Sequence, residues 1–266
     1  NGLQCEYPGT VRIHGDIKDH VHEVPPLTSL DVKLESGNIN STVKFKLFLP
    51  ETRNSDNEIF TTELLKLLGY LAPNTEYVPV IFNGIHLKYM FQEKVSKEFL
   101  EANFRREAPV IEGDERFFYR NRKDILPFGL TRLANNKWAN RGSSSLAVAT
   151  KAVKKANIAY LDYLYSYNPQ YANSIKSSFL TSRKKQVLNV QIYEAILIAI
   201  GGSHGLGTNN RKYYYDPMYD YLEPIYYDGD VTFLSDYSSW LKAVNGRVSK
   251  DQVAGSLPAK VKLGEI

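Results

Sequence analysis

The segment YVPVIFNGIHLKYMFQE, residues 77–93, decides the fold class because its pattern predicts a β-hairpin. Two runs rich in β-branched and aromatic residues, Tyr77–Phe82 and Leu87–Glu93, lie on either side of Asn83-Gly84. That dipeptide is the strongest short signal for a two-residue hairpin turn. We therefore expect antiparallel strands in this part of the chain.

Further strands and one helix surround the hairpin. The other predicted strands lie between Gly, Asn, Asp or Pro turns, at Thr10–Ile13, Ser29–Leu34 and Val43–Leu49. A helix capped by Asp56 or Asn57 is predicted to end at Gly69. Apolar residues at three- and four-residue spacing predict its core face, which consists of Phe60, Leu64 and Leu67.

Helices dominate the pattern after Val95. The clearest predicted helices are Lys97–Arg106, Ser144–Tyr167 and Lys184–Ile200. The last has a single stripe made of Val187, Val190, Glu194, Leu197 and Ile198 and stops at Gly201-Gly202. Two strand-like runs follow, Lys212–Tyr215 and Leu222–Tyr227. The sequence therefore predicts an α+β chain of two lobes, a β-rich lobe with one helix over residues 1–95 and a mainly helical lobe over residues 96–266.

Composition argues against a membrane-spanning chain and against a fold held by disulfides. The chain has 266 residues, of which 43% are hydrophobic, with 33 Lys or Arg against 29 Asp or Glu, as in an ordinary globular protein. No apolar run approaches the roughly 20 residues of a membrane span, so none is expected. The single cysteine, Cys5, rules out an intramolecular disulfide.

The residue inventory excludes a hydrolase and disfavours two other chemistries. Gly201-Gly202-Ser203-His204-Gly205 fits the G-x-S-x-G pattern of a hydrolase, but no histidine follows it to complete the triad. The chain contains neither a Walker A sequence nor G-x-G-x-x-G. His20 and His22 could bind metal on one strand face, but they lack the usual spacing of a closed site.

Phosphoryl transfer from a bound nucleotide requires a cation on the phosphates and an acid that holds this cation. Lys44 and Lys46 alternate with apolar residues on a predicted strand, so both point away from the core face. Glu58 and Glu63, on the helix that follows, are the two candidate partners for the lysine.

The same chemistry requires oxygen ligands for a divalent metal and a segment that binds the base. Asn210 offers an amide oxygen, and Asp228 and Asp230 offer carboxylates on either side of Gly229. The segment Gln92–Val95, where the two predicted lobes meet in sequence, has backbone groups suited to an adenine edge.

These motifs, taken in order, resemble the CotH family of spore-coat-type kinases. The matching strings are FKLFLPETR (45–53), NEI (57–59), LGYLAP (68–73), NG (83–84), FQEK (91–94), HGL (204–206), NR (210–211) and YYDGD (226–230). The resemblance covers roughly residues 10–232. It implies an atypical, two-lobed protein-kinase-like fold that uses ATP with Mg or Mn to phosphorylate Ser or Thr of secreted or surface proteins, such as coat proteins.

The resemblance also assigns roles to single residues. Lys46 would anchor the phosphates with Glu58 as its partner, while Asn210 and Asp228 would bind the metal. Gln92, Glu93, Lys94 and Val95 would form the hinge that binds the base. From the residue pattern alone, Lys44 is a further candidate for binding the nucleotide and Asp230 a further candidate metal ligand. The chain begins at Asn1 without a signal-like segment and is expected to be a processed piece.

One departure from kinases concerns the general base. The H-R-D pattern places an aspartate two residues after its histidine, but Leu206 occupies that position after His204. Asp230, Asp216 or another residue would then accept the proton, or the protein is a nucleotide-binding pseudokinase scaffold of a coat or surface assembly.

Residues 105–155 hold twelve Lys or Arg against five Asp or Glu. This excess is typical of a solvated face of a helical region, and it also suits an acidic peptide partner. A nucleic-acid binder that stacks bases on Phe117, Phe118, Tyr119 and Trp138 is the disfavoured alternative.

Overall fold

The chain folds into two compact units. The computed structural model describes residues 4–15, 21–22, 27–114, 131–166, 183–207 and 210–233. Unit 1 comprises Asn1–Leu68 and Ala72–Glu107, and unit 2 comprises Gly69–Leu71 and Ala108–Ile266. Both contain strands and helices, so the predicted α+β class is confirmed.

Unit 1 is built on a five-stranded antiparallel sheet. Its elements are β1 (Gly9–Ile13), β2 (Val21–His22), β3 (Leu27–Thr28), β4 (Leu30–Leu34), β5 (Lys44–Phe48), α1 (Asp56–Leu67), β6 (Thr75–Phe82), β7 (Ile85–Glu93) and α2 (Lys97–Ala102). The strand order is β1-β4-β5-β7-β6, and β2 pairs with β3 separately. The strands predicted from the sequence in this unit are confirmed to within two residues at either end.

The hairpin of β6 and β7 has the turn that its sequence predicts. Phe82 pairs with Ile85 across a two-residue loop, and Asn83 and Gly84 both have positive φ angles, 50° and 79°. Positive φ at both loop residues is the type I′ geometry, whose twist matches that of the two strands. The local sequence therefore sets the register of the hairpin.

One face of the sheet carries the core of unit 1. Alternation along β5 places Phe45 and Leu47 on this face, where they pack with Val32, Tyr89 and Phe91. The rings of Phe45 and Phe91 lie 4.8 Å apart between centroids. The lysines of β5 alternate with these residues and lie on the opposite face, as predicted.

Helix α1 corrects the prediction of its core face. Phe60 and Leu67 are exposed, whereas the buried residues are Glu58, Thr61, Thr62 and Leu65. The threonine hydroxyls donate to backbone carbonyls of their own helix, Thr61 to Asn57 and Thr62 to Ile59. The periodicity was misleading because it assumes an apolar partner, and the carboxylate of buried Glu58 instead accepts a bond from a polar residue of the sheet. The cap prediction also shifts, because Ser55 precedes the first helical residue.

Unit 2 combines a four-stranded antiparallel sheet with helices. Its elements are β8 (Val110–Gly113), β9 (Thr131–Leu133), α3 (Asn136–Ala139), α4 (Ser143–Ser166), α5 (Lys184–Ala199), β10 (Lys212–Asp216) and β11 (Tyr221–Ile225), in the strand order β11-β10-β8-β9. The sequence predicted α4, α5, β10 and β11. It missed β8, β9 and α3, which are three or four residues long and too short to show a period.

Small residues on α4 set its distance from the sheet of unit 2. Ala152, Ala156 and Ala159 are fully buried and share a core cluster with Tyr213 and Tyr215 of β10. Alanines on one face leave room for the tyrosine rings, which bury large apolar areas.

The helices also bear on membrane association. The longest described helix, α4, has 24 residues but carries Lys151, Lys154 and Lys155. Within the described ranges, no helix combines the length and the hydropathy needed to cross a membrane.

An exposed phenylalanine occupies a position that favours glycine. Helix α2 ends in a Schellman motif, in which the N–H groups of Phe104 and Arg105 donate to the carbonyls of Glu101 and Leu100. Phe104 has φ 58°, in the left-handed region, and its side chain is 95% exposed. The left-handed conformation costs a residue with a Cβ about 1–2 kcal/mol.

We expect Phe104→Gly to raise the free energy of unfolding by about 0.5–1 kcal/mol, since glycine removes the Cβ strain but adds chain entropy to the unfolded state. Phe104→Ala is the control, because it removes the exposed ring and keeps the Cβ. Urea unfolding should show the gain in the glycine variant alone, and equal stability of both variants would contradict this account.

Asp220 joins the β10–β11 turn to α4. It accepts a bond of 2.6 Å from the Tyr215 hydroxyl, and its carboxylate lies 3.0 Å from Lys155 Nζ and 3.2 Å from Lys151 Nζ. Partial burial by itself raises the pKa of Asp220, but these donors outweigh it and lower the pKa to about 2. A carboxylate with a lowered pKa stabilises the folded state above its ordinary pKa, near 3.8.

We expect this stabilisation to be lost as the pH falls from about 4 to about 2. Asp220→Asn should lower the melting temperature at pH 6 and weaken the acid dependence in that window. Raising the salt concentration should reduce the effect, because the carboxylate is partly exposed. An unchanged melting temperature from pH 4 to pH 2 in the wild-type chain would contradict the assignment.

Candidate functional site

A row of polar side chains crosses the sheet of unit 1 on the face opposite its core. Register pairs Arg12 with Asp31, Asp31 with Lys46, Lys46 with Gln92, and Gln92 with Thr75. Residues directly opposite each other in a sheet share a face, so all five lie on one side. All but Arg12 are buried. The sheet thus holds a charged and amide-bearing face away from bulk water.

Lys46 lies at the centre of this row. It is 7% exposed, and its Nζ lies 3.0 Å from His14 Nε2 and 5.3 Å from the centroid of the Phe48 ring. When the ammonium of Lys46 donates this bond, the Nε2 atom of His14 must be unprotonated. Lys44 lies two residues earlier on the same face and is half-buried. The geometry therefore favours Lys46 over Lys44 as the lysine held in place by its surroundings.

The structure separates the two acids of α1 that the sequence left open. Glu58 is 1% exposed, and its Oε1 accepts a bond of 2.8 Å from Gln92 Nε2. Gln92 also lies 3.4 Å from the Thr75 hydroxyl. Glu63 is exposed and pairs with Lys66 of its own helix. Glu58 is therefore the acid that faces the polar row.

We expect Gln92→Met, which keeps the volume but removes the amide donor, to lower the free energy of unfolding by about 1–3 kcal/mol. The free energy of unfolding should fall because the buried Glu58 carboxylate loses a hydrogen bond. Glu63→Gln is the matched control on the exposed side of α1 and should change the stability by less than about 0.5 kcal/mol. Chemical denaturation measures both, and a neutral Gln92→Met would show that the bond contributes nothing.

The predicted hinge begins inside the sheet. The backbone N–H groups of Glu93 and Lys94 donate to the carbonyls of Asn74 and Lys44, at 2.9 and 3.0 Å. Lys94 Nζ lies 2.7 Å from Asp31, and burial raises the pKa of Glu93. These two N–H groups are therefore engaged within the sheet. An adenine edge would bind to carbonyl groups of this segment or to the backbone of Val95, which follows the end of β7.

In unit 2, glycines bring a loop against the segment that carries the aspartates. The glycine loop, residues 201–211 without 208–209, follows α5 and contains a 3₁₀ turn over Ser203–Leu206. A Cβ on Gly205 would lie 3.0 Å from the Tyr227 carbonyl oxygen and 3.3 Å from Gly229 Cα. A Cβ on Gly201 would overlap the Thr232 carbonyl. The glycines are therefore needed for close backbone packing.

The G-x-S-x-G motif at Gly201–Gly205 does not form the nucleophile elbow of a hydrolase. The residues before Gly201 are helical, whereas a nucleophile elbow follows a strand. Ser203 is buried in the 3₁₀ turn.

The glycine loop places the Asn210 amide against the backbone of His204 and the His204 imidazole near the Asp228 carboxylate. Asn210 is buried, and its Nδ2 donates to the His204 carbonyl at 3.1 Å. His204 Nε2 lies 3.9 Å from Asp228 Oδ2. Asp228 and Asp230 both have φ 49°, on either side of Gly229. Side chains held in sparsely populated backbone regions cluster at functional sites.

The amide and carboxylate oxygens of Asn210 and Asp228 are of the type that Mg²⁺ and Mn²⁺ prefer. Across the described ranges, no three His, Cys, Asp or Glu side chains form a group that could hold a metal. Mg²⁺ is usually bound by one or two carboxylates together with water and substrate phosphates. Asp228 carries a carboxylate of this kind, and Asn210, whose Nδ2 donates to the His204 carbonyl, would use its Oδ1 as the metal ligand. Asp230 stays a predicted ligand.

Two of the positions considered for the general base have other roles. Leu206, two residues after His204, is buried. Asp216 Oδ1 accepts bonds from the N–H groups of Met218 and Tyr219, at 2.9 and 3.3 Å. This arrangement is typical of an aspartate that forms a turn. Asp230 is half-buried beside Gly229.

The sequence missed one pair that belongs to this site. Arg211 Nη1 lies 2.6 Å from Glu194 Oε1, and both side chains are buried. Glu194 lies on the otherwise apolar stripe of α5. A charged residue on a core stripe is the signal that could have revealed a buried partner.

Some predicted residues lie outside the described ranges. These are His20 of the candidate histidine pair and the aromatic residues Phe117, Phe118 and Tyr119. The side chain of His22 is likewise not described.

Comparison of the chain with protein-family models and with curated proteins finds no match.

Proposed function

We propose that the protein is an ATP- and divalent-metal-dependent phosphotransferase of the CotH kind, acting on Ser or Thr of a protein. The arrangement that carries the proposal is the contact of His204 with both Asn210 and Asp228 in unit 2. These residues belong to the HGL, NR and YYDGD strings of the resemblance.

Phosphoryl transfer relies on positioning and on charge stabilisation more than on covalent chemistry by the protein. In this proposal Lys46 binds phosphate oxygens, and its burial beside His14 and Phe48 limits the positions of its ammonium group. Glu58 fixes Gln92, the neighbour of Lys46 in the sheet. Asn210 and Asp228 bind Mg²⁺ or Mn²⁺, which would neutralise charge on the nucleotide.

A pseudokinase scaffold in a coat or surface assembly is the second candidate. The observation in its favour is buried Leu206 at the position where a kinase has its base. Asp230 is then the remaining named acid that would accept the proton from a Ser or Thr hydroxyl. Loss of a base lowers turnover, while nucleotide and metal binding depend on other residues.

The proposed protein substrate carries acidic residues near its hydroxyl. Residues 105–155 have an excess of seven positive charges, twelve Lys or Arg against five Asp or Glu. Complementary charge raises the rate of encounter and suppresses wrong partners. The secreted or surface location belongs to the same proposal, through the resemblance.

We expect ATP with Mg²⁺ or Mn²⁺, at about a hundred times its dissociation constant, to stabilise the wild-type chain by about 2.7 kcal/mol. Asp228→Asn should abolish the metal-dependent part of this stabilisation, because it removes the charged ligand. Asparagine tolerates positive φ, so the backbone at residue 228 should be kept. Asp216→Asn is the matched control, since it makes the same charge change and retains the turn-forming oxygen. Thermal unfolding with and without metal measures all three.

A well-folded wild-type chain that no nucleotide stabilises would sink the nucleotide-binding proposal. A full response in Asp228→Asn would remove Asp228 from the site. Transfer of labelled γ-phosphate to an acidic Ser-containing peptide then separates the kinase from the scaffold, which should bind ATP without turnover.

A further inference from the structure

We propose that Glu194 is a positioning residue that acts through Arg211 to hold the glycine loop in the arrangement that presents Asn210 to the metal. The inference rests on the proposed function for its metal and on the structure for its geometry. All the residues involved belong to unit 2.

The first step is the buried ion pair. Glu194 is 1% exposed, and its Oε1 lies 2.6 Å from Arg211 Nη1. The same nitrogen lies 3.2 Å from the Tyr213 hydroxyl. Helix α5 thereby fixes one end of the guanidinium group from a rigid element of the core, where Val190 and Leu197 are fully buried.

The second step leads from the guanidinium to the loop. Arg211 Nε donates to the Leu206 carbonyl at 2.8 Å. The backbone N–H groups of Asn210 and Arg211 both donate to the Gly207 carbonyl at 3.0 Å. Arg211 thus holds the chain on both sides of the Leu206–Gly207 peptide, with its side chain and its backbone. Asn210, the preceding residue, is fixed by the same bonds.

The third step is the reach of this network to the site. Asn210 Nδ2 donates to the His204 carbonyl, and His204 contacts Asp228. Four consecutive contacts therefore connect Glu194 with the aspartate assigned to the metal: Glu194 to Arg211, Arg211 to the loop backbone, Asn210 to His204, and His204 to Asp228. Residues that orient metal ligands without touching the metal commonly change metal affinity 10–100-fold when mutated.

Energetics favour a positioning role over a purely stabilising one. Removing two charges from water is costly, and well-packed apolar residues often replace a buried ion pair without loss of stability. In addition, Glu194 Oε2 is buried and has no hydrogen-bond partner among the residues that the structure describes. An apolar pair would avoid this cost, but it could not bind the Leu206 carbonyl. The charged pair therefore contributes directional hydrogen bonds to the loop, which an apolar pair cannot make.

The test uses the double variant Glu194→Leu/Arg211→Met, which removes both charges together. The matched control is Lys155→Met/Asp220→Asn, which removes the ion pairs of Asp220 with Lys155 and Lys151 described above. Circular dichroism checks folding, Mn²⁺ electron paramagnetic resonance with ATP measures metal affinity, and hydrogen exchange reports the N–H groups of Asn210 and Arg211.

We expect the Glu194/Arg211 double variant to fold, to bind Mn²⁺ 10–100-fold more weakly with ATP, and to exchange its Asn210 and Arg211 amides faster. The control should keep both properties. A folded double variant with unchanged Mn²⁺ affinity would overturn the inference, whether or not its amides exchange faster. If the double variant does not fold, Glu194→Gln, which retains one acceptor, is judged by the same two measurements.

The two readouts separate this inference from the proposed function. If the wild-type chain binds no Mn²⁺ with ATP, the proposed function fails and the metal part of the inference fails with it. Hydrogen exchange still decides whether Glu194 holds the loop. Normal wild-type Mn²⁺ binding that is undiminished in the double variant leaves the proposed function intact and sinks the inference alone.

Discussion

The contact between Glu194 Oε1 and Arg211 Nη1 fixes the part of unit 2 that carries the candidate metal ligands. A buried charge must be paired and hydrogen-bonded, so neither side chain can leave its position without a large cost. Arg211 also donates a hydrogen bond to the Leu206 carbonyl, so a fixed Arg211 side chain holds the backbone of the glycine loop in place as well. The glycines of the same loop let it lie directly on the Tyr227–Gly229 segment. The position of the glycine loop thus depends both on the ion pair and on the glycines that allow its close backbone packing.

Unit 1 meets the same requirement in a different way. One face of its sheet is apolar, and the other combines the polar row with buried Phe48 and Met90; bonds across strands and from α1 complete the row. Buried members of the row have neighbours of suitable chemistry, such as Lys94 for Asp31 and Glu58 for Gln92. A lysine that projects from such a face has few rotamers open to it. The conformational entropy that Lys46 loses in this position is lost on folding, so under the proposed function it would not be lost again when Lys46 binds a phosphate.

The sequence predicted much of the fold and only part of the site. Alternation along β5 correctly placed Lys46 opposite Phe45, and Asn83-Gly84 correctly gave the hairpin, because both signals are local. The core face of α1 was wrong because periodicity reports which residues are apolar and not which surface the helix meets. The choice between Glu58 and Glu63 stayed open for the same reason. Glu194 was read as part of a core stripe because its partner lies 17 residues away in the chain.

By itself, the sequence determined the strands and helices of normal length, the type I′ turn, the α+β class and the oxygen-bearing residues Asn210, Asp228 and Asp230. Backbone preferences and alternation act between near neighbours, so they can be read from the order of residues. Only the tertiary structure decided that α1 buries its threonines and Glu58, that β8 and β9 join β10 in a sheet, and that Arg211 reaches Glu194. Burial and pairing depend on which distant elements meet, because water is excluded and charges are compensated only where two surfaces come together.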